Sequence, residues 1–210
     1  MPDYGGEDLV ADIVALLDAL GIGRAHLAGI SMGGAIAQVV AFDHPERVAT
    51  LTLISTTAGG PGLPPPADSL AAYFANPPSP PDWSDRDAVI EYIVADNRPY
   101  AGTLPFDAAE IRAVAAVVVD RTIDIEASMT NHALLDGGPD LRPRLGDIRA
   151  PTLVLHGSAD PLFPLPHGET LAREIPAARL VVLEGMGHEV PPRPLWDEVI
   201  DEILEHTRAS

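Results

Sequence analysis

The sequence predicts an α/β fold: a mostly parallel sheet with crossover helices, interrupted by a helical insertion. Three observations predict it. Short apolar runs alternate with helical periodicity at both ends of the chain. The middle carries Pro/Gly-rich stretches and helical patterns but no comparable strand pattern. A Gly-x-Ser-x-Gly pentapeptide lies where an apolar run gives way to a helix.

Residues 7–20 place Leu9, Val10, Ile13, Leu16, Leu17 and Leu20 at helical spacing, with Gly21 at the stop. Residues 26–29 are too short for a helix, end in glycine and read as a buried strand. Residues 32–43 are helical and Pro45 ends them. Val48–Ile54 is rich in β-branched residues and nearly all apolar, as a strand covered on both faces would be. The rhythm breaks at Thr57. Helical patterns then cover 67–75, 85–97, 107–121 and a segment near 125–135. It resumes with a strand at 151–156, a helix at 168–174, a strand at 179–183 and a final helix at 195–206. The expected organisation is a core from 1–57 and 148–210 with a cap inserted at 58–147.

Composition narrows the function. At 210 residues and 46% hydrophobic content, the chain suffices for one sizeable core. Its formal charge of -18 repels phosphate backbones and anionic lipid, so neither nucleic acid nor a membrane surface is an expected partner. The absence of cysteine excludes disulfides, thiolate catalysis and Cys-based zinc sites, and fits a cytoplasmic protein. No apolar run is long enough to span a bilayer, and the first residues lack the basic and apolar regions of a signal peptide.

Chemistry is suggested first by Gly29-Ile30-Ser31-Met32-Gly33. A serine on a sharp strand-to-helix turn projects its hydroxyl above the sheet. Its strained backbone calls for small neighbours, here Gly29 and Gly33, so that strand and helix can approach. The helix N-terminus then points at a developing oxyanion, with the Met32 N–H as one donor. Serine needs a base, and His188 follows the last strand, where a loop reaches over the sheet. His156 is a rival, but it leads into a turn. His26 lies at a strand start, His44 and His206 at helix ends, and His132 and His167 in cap or loop. The imidazole needs an orienting carboxylate, and Asp160 follows the strand at 151–156. A turn aspartate is the plain alternative, since Asp-Pro is a common turn. No dinucleotide fingerprint, phosphate loop or His-Glu-x-x-His pair competes, so neither cofactor nor metal is implied.

The segment His26-Leu27-Ala28-Gly29-Ile30-Ser31-Met32-Gly33-Gly34 resembles the nucleophile elbow of the α/β-hydrolase superfamily. Ser31, Asp160 and His188 follow separate strands in that superfamily's nucleophile–acid–base order. Two blocks, 4–53 and 150–207, resemble the anthracycline (aclacinomycin) methylesterases. The second includes Asp160-Pro161, Pro166-His167-Gly168, Gly185-Met186-Gly187-His188 and His206-Thr207. The resemblance implies an α/β-hydrolase fold in which about the last four strands are present, with the family's first strands and its Gly-rich oxyanion loop missing. The edge of the strand ending at Gly29 is therefore expected to be exposed and open to self-association. The expected activity is hydrolysis of a small-molecule carboxylic ester by Ser31, Asp160 and His188. A C–C bond or lactone hydrolase with the same residues is the second reading. A catalytically impaired fragment or binding domain is the reading from another class.

Overall fold

The computed structural model describes residues 3–135 and 140–208, apart from the side chains of His132 and Ala133. Four strands form one parallel sheet: β1 (Ala25–Ile30), β2 (Val48–Ile54), β3 (Thr152–Gly157) and β4 (Ala178–Leu183), in that spatial order. Paired residues run Leu27↔Leu51, Leu53↔Val154 and Leu155↔Val181. Every residue of β3 is buried, and β2 is buried save at Ala49. These two apolar runs are central, while β1 and β4 form the edges.

Helices α2 (Met32–Asp43) and α7 (Pro166–Glu174) lie against one sheet face, with α1 (Gly6–Ala19) packed on α2, and α8 (Trp196–Arg208) lies against the other face. The first layer packs Val40, Ala41, Leu51, Leu53, Val154 and Leu171; the second packs Ile54, Leu153, Leu155, Leu183 and Val199. Helix α1 ends as its glycine demands. Gly21 takes φ 67°, its N–H bonds Asp18 O, and Ile22 N–H bonds Leu17 O.

Between β2 and β3 run α3 (Asp68–Ala75), α4 (Arg86–Asn97), α5 (Ala108–Arg121) and α6 (Ile125–Thr130). Aspartates start three of them: Asp85 and Asp107 each accept two backbone N–H groups of the first turn and Asp124 accepts that of Ala127, each cap contributing about 1 kcal/mol. Val89, Ile90, Ile93 and Ala115 give this segment a small core of its own. The helix expected near 125–135 is α6 followed by a 3-10 turn, Asn131–Leu134. Residues 136–139, within the expected cap, lie outside the described residues. His167, expected in a cap or loop, instead occupies the first turn of α7, because Pro166 starts that helix two residues earlier than the periodicity suggested. Among the described residues no helix is long and apolar enough to cross a membrane.

His206 and His156 are buried imidazoles that donate to carbonyls. His206 Nε2 bonds Leu51 O at 3.2 Å and His156 Nε2 bonds Phe163 O at 2.7 Å. Burial pushes both rings below the ordinary histidine value of 6.5. Below that value the unfolded chain takes up these protons before the folded one. Their contribution is therefore complete above about pH 6.5 and lost as pH falls further. The urea midpoint should fall between about pH 7 and about pH 5, and less steeply in His206→Gln than in the wild type. Identical slopes would show that His206 plays no part.

Candidate active site

The site begins with a backbone conformation. Ser31, between β1 and α2, takes φ 50° and ψ -117°, in the left-handed half of the map that side chains seldom enter. Four hydrogen bonds hold it there. Ser31 N–H donates to Ile54 O at 3.0 Å, and Ser31 O accepts from Gly34 N (2.9 Å), Ala35 N (3.2 Å) and Thr56 Oγ1 (2.7 Å). Helix α2 starts at Met32, so the Met32 N–H belongs to the first turn, whose amides point out of the helix along its dipole.

The glycines divide their work differently from the sequence expectation. A Cβ on Gly29 would lie 2.2 Å from Gly33 O, so strand and helix do meet there. At Gly33 an added Cβ meets nothing within 4 Å. The second tight position is Gly34, whose Cβ would lie 2.7 Å from Thr56 Cβ. The demand for a small side chain thus falls on Gly29 and Gly34, and Gly33 contributes its carbonyl to the contact.

Asp160 hangs from the loop after β3 with its side chain wholly buried. Oδ1 accepts from Leu162 N (2.9 Å) and Phe163 N (2.8 Å), leaving Oδ2 for His188 Nδ1 at 2.9 Å. A carboxylate only accepts, so Nδ1 carries the imidazole proton and Nε2 is bare. That bare nitrogen lies 3.0 Å from Ser31 Oγ. Ser31, His188 and Asp160 therefore form one directed chain of hydrogen bonds, able to draw a proton from the hydroxyl. His156, the rival imidazole, is fully buried on β3, with Nε2 3.8 Å from Asp160 Oδ2.

The loop carrying His188 is gripped from two sides. A Cβ on Gly187 would lie 2.2 Å from Tyr100 O, and one on Gly157 would lie 2.2 Å from Met186 O. His188 N–H donates to Tyr100 O at 2.8 Å and Thr103 N–H to Gly185 O at 2.8 Å. Glu189 Oε1 accepts from Gly187 N at 3.1 Å. Phe163 sets its ring edge-on to the His188 ring, with centroids 5.2 Å apart. Sequence reasoning missed Thr56, Tyr100 and Phe163. Only Phe163, three residues after Asp160, carried a local signal.

A cleft of about 720 Å³ opens between α4, α5 and the chain from Glu189 to Trp196, with Ile93, Phe106, Ile111, Met129 and Val190 on its walls. Glu189 borders it, but Ser31 and His188 do not. Hydrogen-bond geometry, rather than cavity size, marks the chemical centre. Among the described residues no group of three or more His, Asp or Glu side chains is arranged to hold a metal ion.

A parallel sheet with a left-handed serine at a strand-to-helix turn, facing an imidazole from the last strand's loop, defines an α/β-hydrolase. The chain belongs to the alpha/beta hydrolase family, whose model matches residues 2–202. It is 29% identical to rhodomycin D methylesterase DnrP of Streptomyces peucetius, over 99% of this chain and 74% of that protein. It is 34% identical to a 2-hydroxy-6-oxononadienedioate/2-hydroxy-6-oxononatrienedioate hydrolase of Burkholderia vietnamiensis, over 86% of this chain and 62% of the relative. Among solved structures, the enol-lactonase from Burkholderia xenovorans LB400 superposes with a TM-score of 0.71 at 25% identity, covering 97% of this chain and 73% of that one. The meta-cleavage product hydrolase of Pseudomonas fluorescens IP01 shares the fold, with a TM-score of 0.73 at 21% identity over 99% and 73% of the two chains.

The glycine contacts predict an ordering of stability. Gly29→Ala drives a methyl into a carbonyl and Gly34→Ala into the Thr56 side chain; each should cost about 1–3 kcal/mol or more. Gly33→Ala adds a helix-favouring residue in open space and should fall within about 1 kcal/mol of wild type. Urea unfolding of the three variants checks this, and a Gly33→Ala as damaging as Gly29→Ala would refute it.

Proposed function

We propose that this hydrolase cleaves carboxylic esters through an acyl-enzyme on Ser31. The carrying observation is the pair of distances, 3.0 Å from Ser31 Oγ to His188 Nε2 and 2.9 Å from His188 Nδ1 to Asp160 Oδ2. In this reading Ser31 Oγ attacks the ester carbonyl while its proton passes to His188 Nε2. The oxyanion forms at the start of α2, where the Met32 N–H and the helix dipole oppose its charge. Asp160 fixes the imidazole tautomer and steadies the imidazolium. As the tetrahedral intermediate collapses, the carbon–oxygen bond to the alcohol breaks and His188 returns the proton to the leaving oxygen. Water then attacks the acyl-enzyme by the same route and releases the acid. No step calls on a metal or a cofactor.

The helices between β2 and β3 act as a cap in this proposal. This segment touches the site beside Asp160, where Ala67 N–H bonds Pro161 O at 2.8 Å, and around His188, whose N–H bonds Tyr100 O. The apolar walls of the nearby cleft favour a medium-sized apolar substrate. Similarity to the rhodomycin D methylesterases favours a methyl ester. A C–C bond or lactone hydrolase is the second reading, favoured by a relative named 2-hydroxy-6-oxo-6-phenylhexa-2,4-dienoate hydrolase and by the enol-lactonase likeness.

A fluorophosphonate should label the wild type at Ser31 and leave Ser31→Ala unlabelled. Against a p-nitrophenyl ester, Ser31→Ala and His188→Ala should each lose about 10³-fold or more, and the double variant should be scarcely worse, because the residues act as a unit. Losses that multiply would place the two residues in separate roles, and labelling that survives Ser31→Ala would dismiss the serine.

A further inference from the structure

His156 stands in the all-buried strand β3, where a leucine would pack without a polar atom. Its ring is 0% exposed, and Nδ1 has no hydrogen-bond partner among the described residues. A buried polar ring in such a strand has to be compensated by the bonds it does make. The first turn of α7 lies flush on the ring: a Cβ on Gly168 would come within 2.6 Å of His156 Cγ. What the imidazole gains in return is one directed bond, Nε2–H to Phe163 O at 2.7 Å.

That bond closes the loop carrying Asp160 at its far end. Phe163 N–H, on the other side of the same residue, donates to Asp160 Oδ1 at 2.8 Å. The Phe163 ring meets His188 at 5.2 Å between centroids and an interplanar angle of 85°. Phe163 is thus gripped by its carbonyl, and through it both the carboxylate and the imidazole of the site are located. At 3.8 Å, His156 Nε2 is too far from Asp160 Oδ2 for a hydrogen bond of its own, so its action passes through Phe163.

We propose that His156 is a positioning residue that fixes the Asp160–His188 pair by anchoring the Phe163 carbonyl. The inference rests on the reading of Ser31, His188 and Asp160 given above. Leucine at 156 keeps the bulk and removes the donor. Glutamine places an amide N–H close to where the Nε2–H stood.

With a short p-nitrophenyl ester, H156L should lose about 10–100-fold in kcat with KM within about 2-fold, and H156Q should recover most of the loss. Proton NMR gives a readout that needs no turnover. The downfield resonance of the His188 Nδ1–H should persist in the wild type and H156Q and broaden or vanish in H156L. Should H156L fail to fold, G168A decides. It keeps the imidazole but pushes its ring, and should lower kcat without raising KM. Wild-type kcat and an intact resonance in H156L, or an unchanged kcat in G168A, would overturn the proposal. So would equal impairment of H156L and H156Q. The failure of the site reading is distinguishable: Ser31→Ala would then retain turnover, while the NMR comparison would still report on His156.

Discussion

The left-handed backbone of Ser31 is the constraint on which the rest of the site depends. A non-glycine residue at φ 50° costs of order 1–3 kcal/mol unless its surroundings hold it. Here they do, through bonds from β2 and α2 to both of its backbone groups. The requirement spreads outward from there. Gly29 must lack a side chain because Gly33 O lies against it, and Gly34 must lack one because Thr56 does. Thr56 in turn supplies the hydroxyl that binds Ser31 O. Residues of β1, of α2 and of β2 with the loop after it together hold this one serine in place.

The other two groups reach that hydroxyl because the sheet is parallel. β1, β3 and β4 all end on the same edge, so the loops after them converge. Convergence alone does not set hydrogen-bond geometry. Asp160 is pinned by two backbone amides of its own loop, and His188 by Tyr100 from the helical segment. The close packing of Gly157, Gly187 and Gly102 lets backbone meet backbone around the imidazole. This pre-sets the donors and acceptors, so little reorganisation is left for the reaction itself.

The strands were legible because their residues are apolar and β-branched, and each observed strand lies within a residue or two of the run that predicts it. Ser31, Asp160 and His188 were legible as positions just after separate strands, and these three side chains meet in the structure. Gly34 was overlooked because its partner, Thr56, is distant in sequence and no local pattern announces the contact. Tyr100 was invisible for the same reason: it acts through its carbonyl, which every residue possesses. His167 was misplaced because a proline at the first helical position looks like a break when only side-chain periodicity is read. His156 was weighed only as a rival base. Its hydrogen bond to the Phe163 carbonyl links it to the loop carrying Asp160, a role no local pattern announces.

In the proposed reaction Ser31 becomes covalently acylated, with His188 and Asp160 driving both halves. Intact-mass spectrometry after rapid quench with a slowly deacylating ester tests this most directly, followed by peptide mapping. One added acyl group is expected, carried on the peptide containing Ser31, formed in a burst with release of the alcohol and absent from Ser31→Ala and His188→Ala. Turnover with no acyl adduct, or an adduct mapped to any other residue, would contradict it.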